Sequence, residues 1–382
     1  MDKSMLAAVF WSATCVVAYI YLGYPALVWT LARRRRPAEA EYLESPLSVV
    51  IVAYNEATRL PSKIDSILAA DGSAAIHEIV VASDGSTDAT CDLMQNHSDP
   101  RVRLLHFDQR RGKPAVLNDA IPQCTTDIVV LTDARQELHP GALKALVANL
   151  SDPGVGVVSG NLVFRHTADE TTTARGVGVY WKYEKFIRSH ESQWRSVPGA
   201  TGAFYAIRKD LFRPIGEQTL LDDVVIPMQA IERGYRCVWE PAAIIYDDPA
   251  TSSQQEVVRK RRTIAGCAQL VLRQPRWLFP WSNPIWIEYT SHKIARLVSP
   301  ALLVVMLAAN AALAGQPVYR VLLSAHICFY LAALSGWLIQ RCGRRSVCFA
   351  APLLFLTLNV TTVFALWDAV RGRFRATWQK AI

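Results

Sequence analysis

"LSVVIVAYNEA", residues 47–57, decides the fold. Its apolar run is too short for a helix and does not alternate with polar residues, so it reads as a strand buried on both faces. It stops abruptly at Tyr54, Asn55 and Glu56. The same grammar repeats downstream. "HEIVVAS", "RVRLLHF", "DIVVLTDA" and "VGVVSGNLVF" are strand-like, and between them "EATRLPSKIDSILAA", "ATCDLMQNH", "GKPAVLNDAI" and "PGALKALVANL" have helical spacing. Alternation of this kind predicts an α/β domain with a parallel sheet covered by helices on both faces. Ligands bind such sheets beyond the carboxyl ends of the strands. Tyr54, Asn55 and Glu56, then Asp84, Gly85 and Ser86, then Asp133 all fall there.

Two phosphate-binding motifs are missing. No Gly-x-Gly-x-x-Gly follows the first strand, and no Gly-x-x-x-x-Gly-Lys-Ser/Thr occurs, which argues against a dinucleotide fold and a P-loop NTPase. "SDGSTD", residues 83–88, taken alone is equally a glycine turn in which Ser86 or Thr87 caps the next helix.

The flanks differ in character from this middle. Met5 to Ala32 carries no charge and ends at four arginines, Arg33 to Arg36. It is long enough to span a hydrocarbon core of ~30 Å and too long for the apolar core of a signal peptide. Three more uncharged runs follow: Leu297 to Val318, Val321 to Gln340 and Ser346 to Trp367. Residues 1–36 therefore read as an anchor, 44–275 as the nucleotide-binding domain and 296–382 as a membrane region. Between the last two, "PRWLFPWSNPIWIEYTSHKI" places Trp277, Trp281 and Trp286 beside a span, and 276–295 reads as an interfacial helix in the headgroup layer.

Lysine and arginine number 41 against 33 acids, a net +8. The excess sits at Arg33 to Arg36, at Arg341, Arg344 and Arg345, and at Arg371, Arg373 and Arg375. Basic clusters beside apolar runs fit lipid headgroups, and no nucleic-acid partner is expected. The same rule puts the middle domain in the cytoplasm. Counting on, the basic tail then emerges outside, against the rule, unless the last run, broken by Pro352, stops short of crossing. Eight scattered cysteines without a Cys-x-x-Cys pair suggest neither a zinc site nor disulfides.

In chain order, "VVIVAYNEA", "SDGSTDAT", "GKPAVLNDAI", "VVLTDA", "PGATGAFYAIRKDLF" and "LLDDVVIPMQAIERGYRCVWEP" resemble the motifs of the inverting glycosyltransferases of family 2. The nearer resemblance is to the membrane branch that holds the cellulose, chitin, hyaluronan and poly-N-acetylglucosamine synthases. It implies a GT-A fold with one N-terminal and about three C-terminal transmembrane helices. By that resemblance, Ala53, Tyr54, Glu56 and Asp84 line the nucleoside pocket and Lys113 contacts the nucleotide. Asp133 is matched to the first acid of an Asp-x-Asp motif holding Mg²⁺ or Mn²⁺ on the donor diphosphate. In "LTDARQEL", residues 131–138, the second acid is replaced by Arg135. One carboxylate suffices in principle, because substrate phosphates and water complete the magnesium shell.

The resemblance also assigns Asp223 as the catalytic base with Asp222 beside it, and Gly199, Gly202 and Ala203 as the acceptor floor. "QQEVVRKRRTIAG" stands where the family has Gln-x-x-Arg-Trp; Arg262 is matched to the arginine, and Thr263 replaces the tryptophan. A basic helix face near the membrane is the competing reading of Arg259 to Arg262. The implied function is transfer of a sugar, from a UDP-sugar, to a lipid-linked or growing polysaccharide acceptor at the plasma membrane, with other polysaccharide-assembly proteins as partners. A processive synthase is one rival; a silent nucleotide-sensing or export subunit is another.

Overall fold

The computed structural model describes residues 2–33, 45–70, 75–165, 172–248, 253–342 and 346–373. Arg34, Arg35, Arg36, Arg344, Arg345 and Arg375, which carry part of the charge argument, lie outside the described residues. Helix α1 (Lys3–Ala32) is apolar along its length and passes through one π turn at Tyr19–Gly23.

Strands β1 (Leu47–Ala53), β2 (Ile76–Asp84), β3 (Val102–Phe107) and β4 (Ile128–Asp133) run parallel in the order β3-β2-β1-β4. Helices α2 (Leu60–Leu68), α3 (Thr90–Gln95) and α4 (Lys113–Ala120) connect them. Val49, Val50 and Ile51 are almost wholly buried, each contributing about 1.5–3 kcal/mol relative to exposure. Because the four strands run parallel, their carboxyl ends lie side by side.

Beyond β4 the sheet departs from the parallel expectation. After β5 (Glu137–Leu138), α5 (Ala142–Ala148), β6 (Val155–Phe164) and α6 (Thr172–Trp194), a short strand β7 (Phe204–Arg208) inserts between β4 and β6, antiparallel to both. Helix α7 (Asp222–Glu232) follows. Strand β8 (Arg236–Asp247) then pairs parallel with β6 and antiparallel with β5. The result is an eight-stranded mixed sheet. Five-residue β7 was not legible because it is buried on both faces without alternation: Phe204, Tyr205, Ala206 and Ile207 have no exposed surface. Its tertiary neighbours, rather than its own pattern, make it a strand.

Helix α8 (Ser253–Arg273) leads to the Trp-rich segment, which departs from a single interfacial helix. Pro275–Leu278 is one 3-10 turn, and the helix resumes only at Trp286, running through a π turn at Tyr289–Ile294 into α9 (Trp286–Ala312). Trp277 is a core residue at 1% exposure, its indole donating to Glu232 Oε1 at 2.7 Å. Trp281, by contrast, is 80% exposed. Helices α10 (Pro317–Arg341) and α11 (Ala350–Val370) complete a set of four long and apolar enough to cross a membrane. Pro352 does not break α11; it lies in the first turn, where its missing N–H interrupts no helical bond.

The packing of these helices settles where the chain's last helix ends relative to the sheet domain. Tyr24 and Val28 of α1 pack on Ile187 of α6, so that end of α1 is the domain end. Phe10, toward its other end, packs with Ala309, Leu313 and Tyr319, where α9 finishes and α10 starts. The carboxyl end of α11 returns to the sheet domain: Ala365 packs with Leu220 and Ala265, and Asp368 pairs with Arg261 of α8. Helices α10 and α11 together thus lead from the far end back to the domain, and the basic residues Arg371 and Arg373 emerge beside it.

Candidate active site

The ends of β1 and β2 are tied to each other. Asn55 has a left-handed φ of 53°, held by its backbone N–H donating to Ser86 Oγ (3.1 Å) and its Oδ1 accepting from the Thr87 N–H (2.7 Å). The Glu56 N–H donates to Thr90 Oγ1 (3.0 Å), while the Glu56 carboxylate pairs with Arg59 at 3.0 Å. Ser86 and Thr87 are thus spent on the first motif, and Asp88 instead accepts from the Thr90 N–H at 3.0 Å. Gly85 must be glycine: its φ is 67°, and a Cβ there would lie 2.6 Å from the Arg110 nitrogen.

That close approach brings in the loop before α4. Asp84 accepts from the Arg111 N–H (2.6 Å) and the Gly112 N–H (2.9 Å), fixing the loop that delivers Lys113 to the sheet's carboxyl edge. The Arg110 guanidinium lies 3.8 Å over the Tyr54 ring, a flat cationic surface beside Ala53 of the kind that stacks on a base. Lys113 Nζ donates to Asp133 Oδ1 (2.8 Å) and the Gly202 carbonyl (3.3 Å), and lies 3.5 Å from Asp222 Oδ2. Burial alone would lower the lysine's affinity for its proton, but Asp133 and Asp222 hold it above the ordinary range. It is a fixed cation between two acids.

Asp222 and Asp223 open α7, where the helix dipole favours negative charge. The turn Pro198–Gly202 lies directly against them. The Ala200 N–H donates to the Asp223 carbonyl at 2.7 Å, and a Cβ on Gly202 would come within 2.9 Å of Asp223 Oδ2. Ala203 follows, its carbonyl accepting from the Asp133 N–H (3.2 Å) and from Thr132 Oγ1 (2.8 Å). Gly199 and Gly202 are small because Val224 and Asp223 close on them. Among the described residues the Asp223 carboxylate accepts no hydrogen bond. Burial, then the Asp222 charge, push its pKa up to about 6 against the pull of Lys293, Lys113 and Arg188.

A pH prediction follows from that shift. A base must be ionised to accept a proton, so activity is present above the raised pKa and lost below it. In the free enzyme kcat/KM should fall about tenfold per pH unit below about pH 6, where an unperturbed aspartate would hold it to about pH 4. A flat profile from pH 7 to pH 5 would remove Asp223 from the role of base.

Burial lowers the pKa of Arg262, on α8, and the charges of Asp222, Asp223 and Asp133 oppose that lowering only in part. Its neighbours have other tasks: Arg261 pairs with Asp368, and the Lys260 ammonium lies 4.2 Å over the Tyr180 ring. The basic run is therefore divided between the acids and the membrane helices.

Arg135 turns away from the edge. It pairs with Asp247 Oδ2 at 2.7 Å, Gln136 Nε2 bonds the same oxygen at 3.2 Å, and Glu137 pairs with Arg165. Lys63, fully buried under the loop, donates to Thr132 Oγ1 (2.7 Å) and the Gln136 carbonyl (2.8 Å), with burial pulling its pKa down to about 7. Among the described residues no group of three or more His, Cys, Asp or Glu could hold a metal unaided. Asp133 at the strand end, with diphosphate oxygens beside it, still fits a magnesium-type ion, which takes one or two protein carboxylates.

The family described as glycosyl transferase family 2 matches residues 48–216, from β1 to the turn before α7. The chain carries a family 2 glycosyltransferase domain. A pre-mycofactocin glycosyltransferase of Mycobacterium tuberculosis is 26% identical over 264 residues, covering 64% of this chain and 51% of that protein. A poly-beta-1,6-N-acetyl-D-glucosamine synthase of Staphylococcus aureus is 23% identical over 243 residues, covering 62% and 58%. The chain thus spans little more than half the length of these relatives. A mannosyltransferase of Pyrobaculum calidifontis, solved with GDP-Man and Mn²⁺, superposes with a TM-score of 0.70 at 22% identity, covering 97% of this chain and all of that one. The glycosyltransferase domain has the GT-A fold expected from its motifs.

Within this domain the structure gathers Lys113, Asp133, Asp222, Asp223, Gly199, Gly202, Ala203 and Arg262 around one edge, with Ala53, Tyr54 and Asp84 along it. Glu56 stands at the rim with Arg59. Sequence reasoning missed Lys63, Arg188, Lys293 and Asp247. Lys63 had a signal, because it interrupts the apolar face Leu60, Ile64 and Ile67 of α2. The others come from distant segments and had none.

Proposed function

We propose that this chain is a membrane-bound inverting glycosyltransferase that moves a sugar from a nucleotide sugar to a lipid-linked or growing polysaccharide acceptor. The observation that carries the reading is the Asp223 carboxylate, raised in pKa and free of hydrogen bonds, against the glycine turn beside the Lys113–Asp133 pair. Tyr54, Arg110 and the Asp84-held loop would receive the nucleoside, and Lys113 and Arg262 its diphosphate. Asp133 would hold Mg²⁺ or Mn²⁺, which when bound neutralises charge on the leaving diphosphate. Asp223 then takes the proton from the acceptor hydroxyl as that oxygen bonds to the sugar's anomeric carbon on the face opposite the departing nucleotide. In this reading the catalytic domain lies in the cytoplasm at the plasma membrane, and the basic residues Arg33, Arg371 and Arg373 beside the domain ends of α1 and α11 support that sidedness.

The reading is tested by incubating membranes holding the full chain with radiolabelled UDP- and GDP-sugars and following label into lipid and polymer. No incorporation from any donor, with each donor shown to be intact, would overturn it. Product length is a separate prediction. A processive enzyme must keep the acceptor end bound after each addition, and the aromatic residue that could stack on it is Thr263 here. The purified protein should make short or single-sugar products. Long chains beside unused acceptor at low enzyme would show processivity instead.

A further inference from the structure

We propose that Arg188 is a positioning residue for the transfer reaction, holding the Pro198–Gly202 turn in the shape that seats it against Asp223; this rests on the reading of Asp223 as the base. The turn's own residues do not fix its shape. Gly199 has a φ of 146°, a region that favours glycine, and glycine has more backbone freedom to lose than any other residue. The turn is held from outside instead. Arg188 Nη2 donates to the Gly199 carbonyl at 3.3 Å and to Ser159 Oγ at 2.7 Å. Ser159, fully buried on β6, accepts from the Thr201 N–H at 2.8 Å, and Thr201 Oγ1 donates to the Gly160 carbonyl at 2.8 Å. One guanidinium nitrogen therefore fixes both ends of the stretch Gly199 to Thr201. Between those ends the Ala200 N–H donates to the Asp223 carbonyl at 2.7 Å. Directly after them, a Cβ on Gly202 would come within 2.9 Å of Asp223 Oδ2.

The way Arg188 is held argues for this task over a purely structural one. Its Nε is buried without an acceptor, whereas a guanidinium buried only to stabilise the fold would have its N–H groups paired. Burial lowers its pKa, opposed from beyond ion-pair distance by Glu191, Glu184 and Asp223 among others. The chemistry also asks for arginine. Two N–H groups on one planar nitrogen meet two acceptors in fixed directions, which a freely rotating ammonium does not reproduce. The helix that carries Arg188 is anchored on both sides of it. One turn before, Glu184 pairs with Arg296 and lies 2.9 Å from His292 Nε2. One turn after, Glu191 lies 2.9 Å from His292 Nδ1 and accepts from the Tyr24 hydroxyl. Helices α1 and α9 thus fix α6, and α6 holds Arg188 against the turn. A displaced turn would misalign base and acceptor hydroxyl, and a shift of about 1 Å in such a geometry can cost about 10²-fold in rate.

The test uses the full chain in membranes and in neutral detergent, with Arg188→Gln and Ser159→Ala each removing one link. Three readouts are taken: label transfer from whichever radiolabelled UDP- or GDP-sugar the unmodified chain uses, binding of UDP and GDP with Mn²⁺, and hydrogen exchange of peptides. Both variants should lose about 10–100-fold in kcat with nucleotide affinity within about twofold. Exchange should quicken in 197–204 and stay unchanged in β1 and β2. Arg188→Gln alone should also move the acid limb of kcat/KM to higher pH. It removes one of the cations, Lys293, Lys113 and Arg188, that favour the Asp223 carboxylate against burial and Asp222. Arg188→Lys and Ser159→Ala keep that charge and should leave the limb in place. A kcat within about twofold of normal in both variants would overturn the proposal. So would a slowed Arg188→Gln enzyme with unchanged exchange in 197–204, which would show action through charge alone. Lost nucleotide binding with faster exchange throughout the domain in both variants would reduce Arg188 to a structural residue. If the unmodified chain transfers label from no donor, the transferase reading itself fails, while exchange in 197–204 still reports whether Arg188 holds the turn.

Discussion

Asp223→Asn is expected to slow sugar transfer about 10²–10⁴-fold while leaving donor binding near normal. The substitution keeps the shape of the side chain and its fit against Gly202, where a Cβ would lie 2.9 Å from Oδ2. What it removes is the ability to accept a proton. No described neighbour can replace it. Asp222 is committed to Lys113 at 3.5 Å, and Asp133 is held by the same lysine at 2.8 Å. Donor affinity, measured as nucleotide binding to the variant, should hold because the proposed diphosphate contacts are Lys113 and Arg262 rather than Asp223. The Asn variant should also lose the pH dependence near pH 6 of any residual rate. Near-normal turnover would show that the proton leaves by another route.

Removing divalent metal should have a comparable effect. EDTA should abolish transfer, Mg²⁺ or Mn²⁺ should restore it, and Asp133→Ala should behave as an enzyme permanently in chelator. The argument is one of charge. A nucleotide diphosphate entering the site meets Asp133 already bonded to Lys113 and near Asp222, so one lysine is shared among two carboxylates and the incoming anion. Arg135 does not relieve this, because its guanidinium is taken by Asp247 at 2.7 Å. Nucleotide affinity measured with and without Mn²⁺ gives a readout independent of turnover. Unchanged affinity and full activity in chelator would mean that Lys113 and Arg262 neutralise the diphosphate without a metal.

The parallel half of the sheet was legible because its strands are buried on both faces and its turns carry chemistry. Val49 to Ile51 and Ile79 to Val81 read as strands whatever surrounds them, and Asp84 and Asp133 stand at their ends by construction. The helix after "SDGSTD" was legible too, although the side chain that bonds its first N–H is Asp88 rather than Ser86 or Thr87. Legibility failed where a residue's role depends on a partner far along the chain. Trp277 looked interfacial from its neighbours, yet its ring meets Tyr289 edge-on at 5.7 Å and its indole bonds Glu232. Arg135 could have pointed into the site or away, and only Asp247, 112 positions later, decides.

The sequence by itself determined the α/β domain between apolar flanks, the order of motifs along the strand ends, and the pair Asp222–Asp223 at the start of a helix. These follow from local rules: backbone geometry puts strand ends on one edge, and hydrophobic periodicity assigns each element its type. Only the tertiary structure decided that β7 enters antiparallel and that the carboxyl end of α11 returns to the sheet domain through Asp368 and Arg261. Those outcomes depend on packing and ion pairs between distant segments, Arg261 and Asp368 being 107 positions apart. Their free energy is set by distance and burial, which hydrophobic patterning along the chain does not encode.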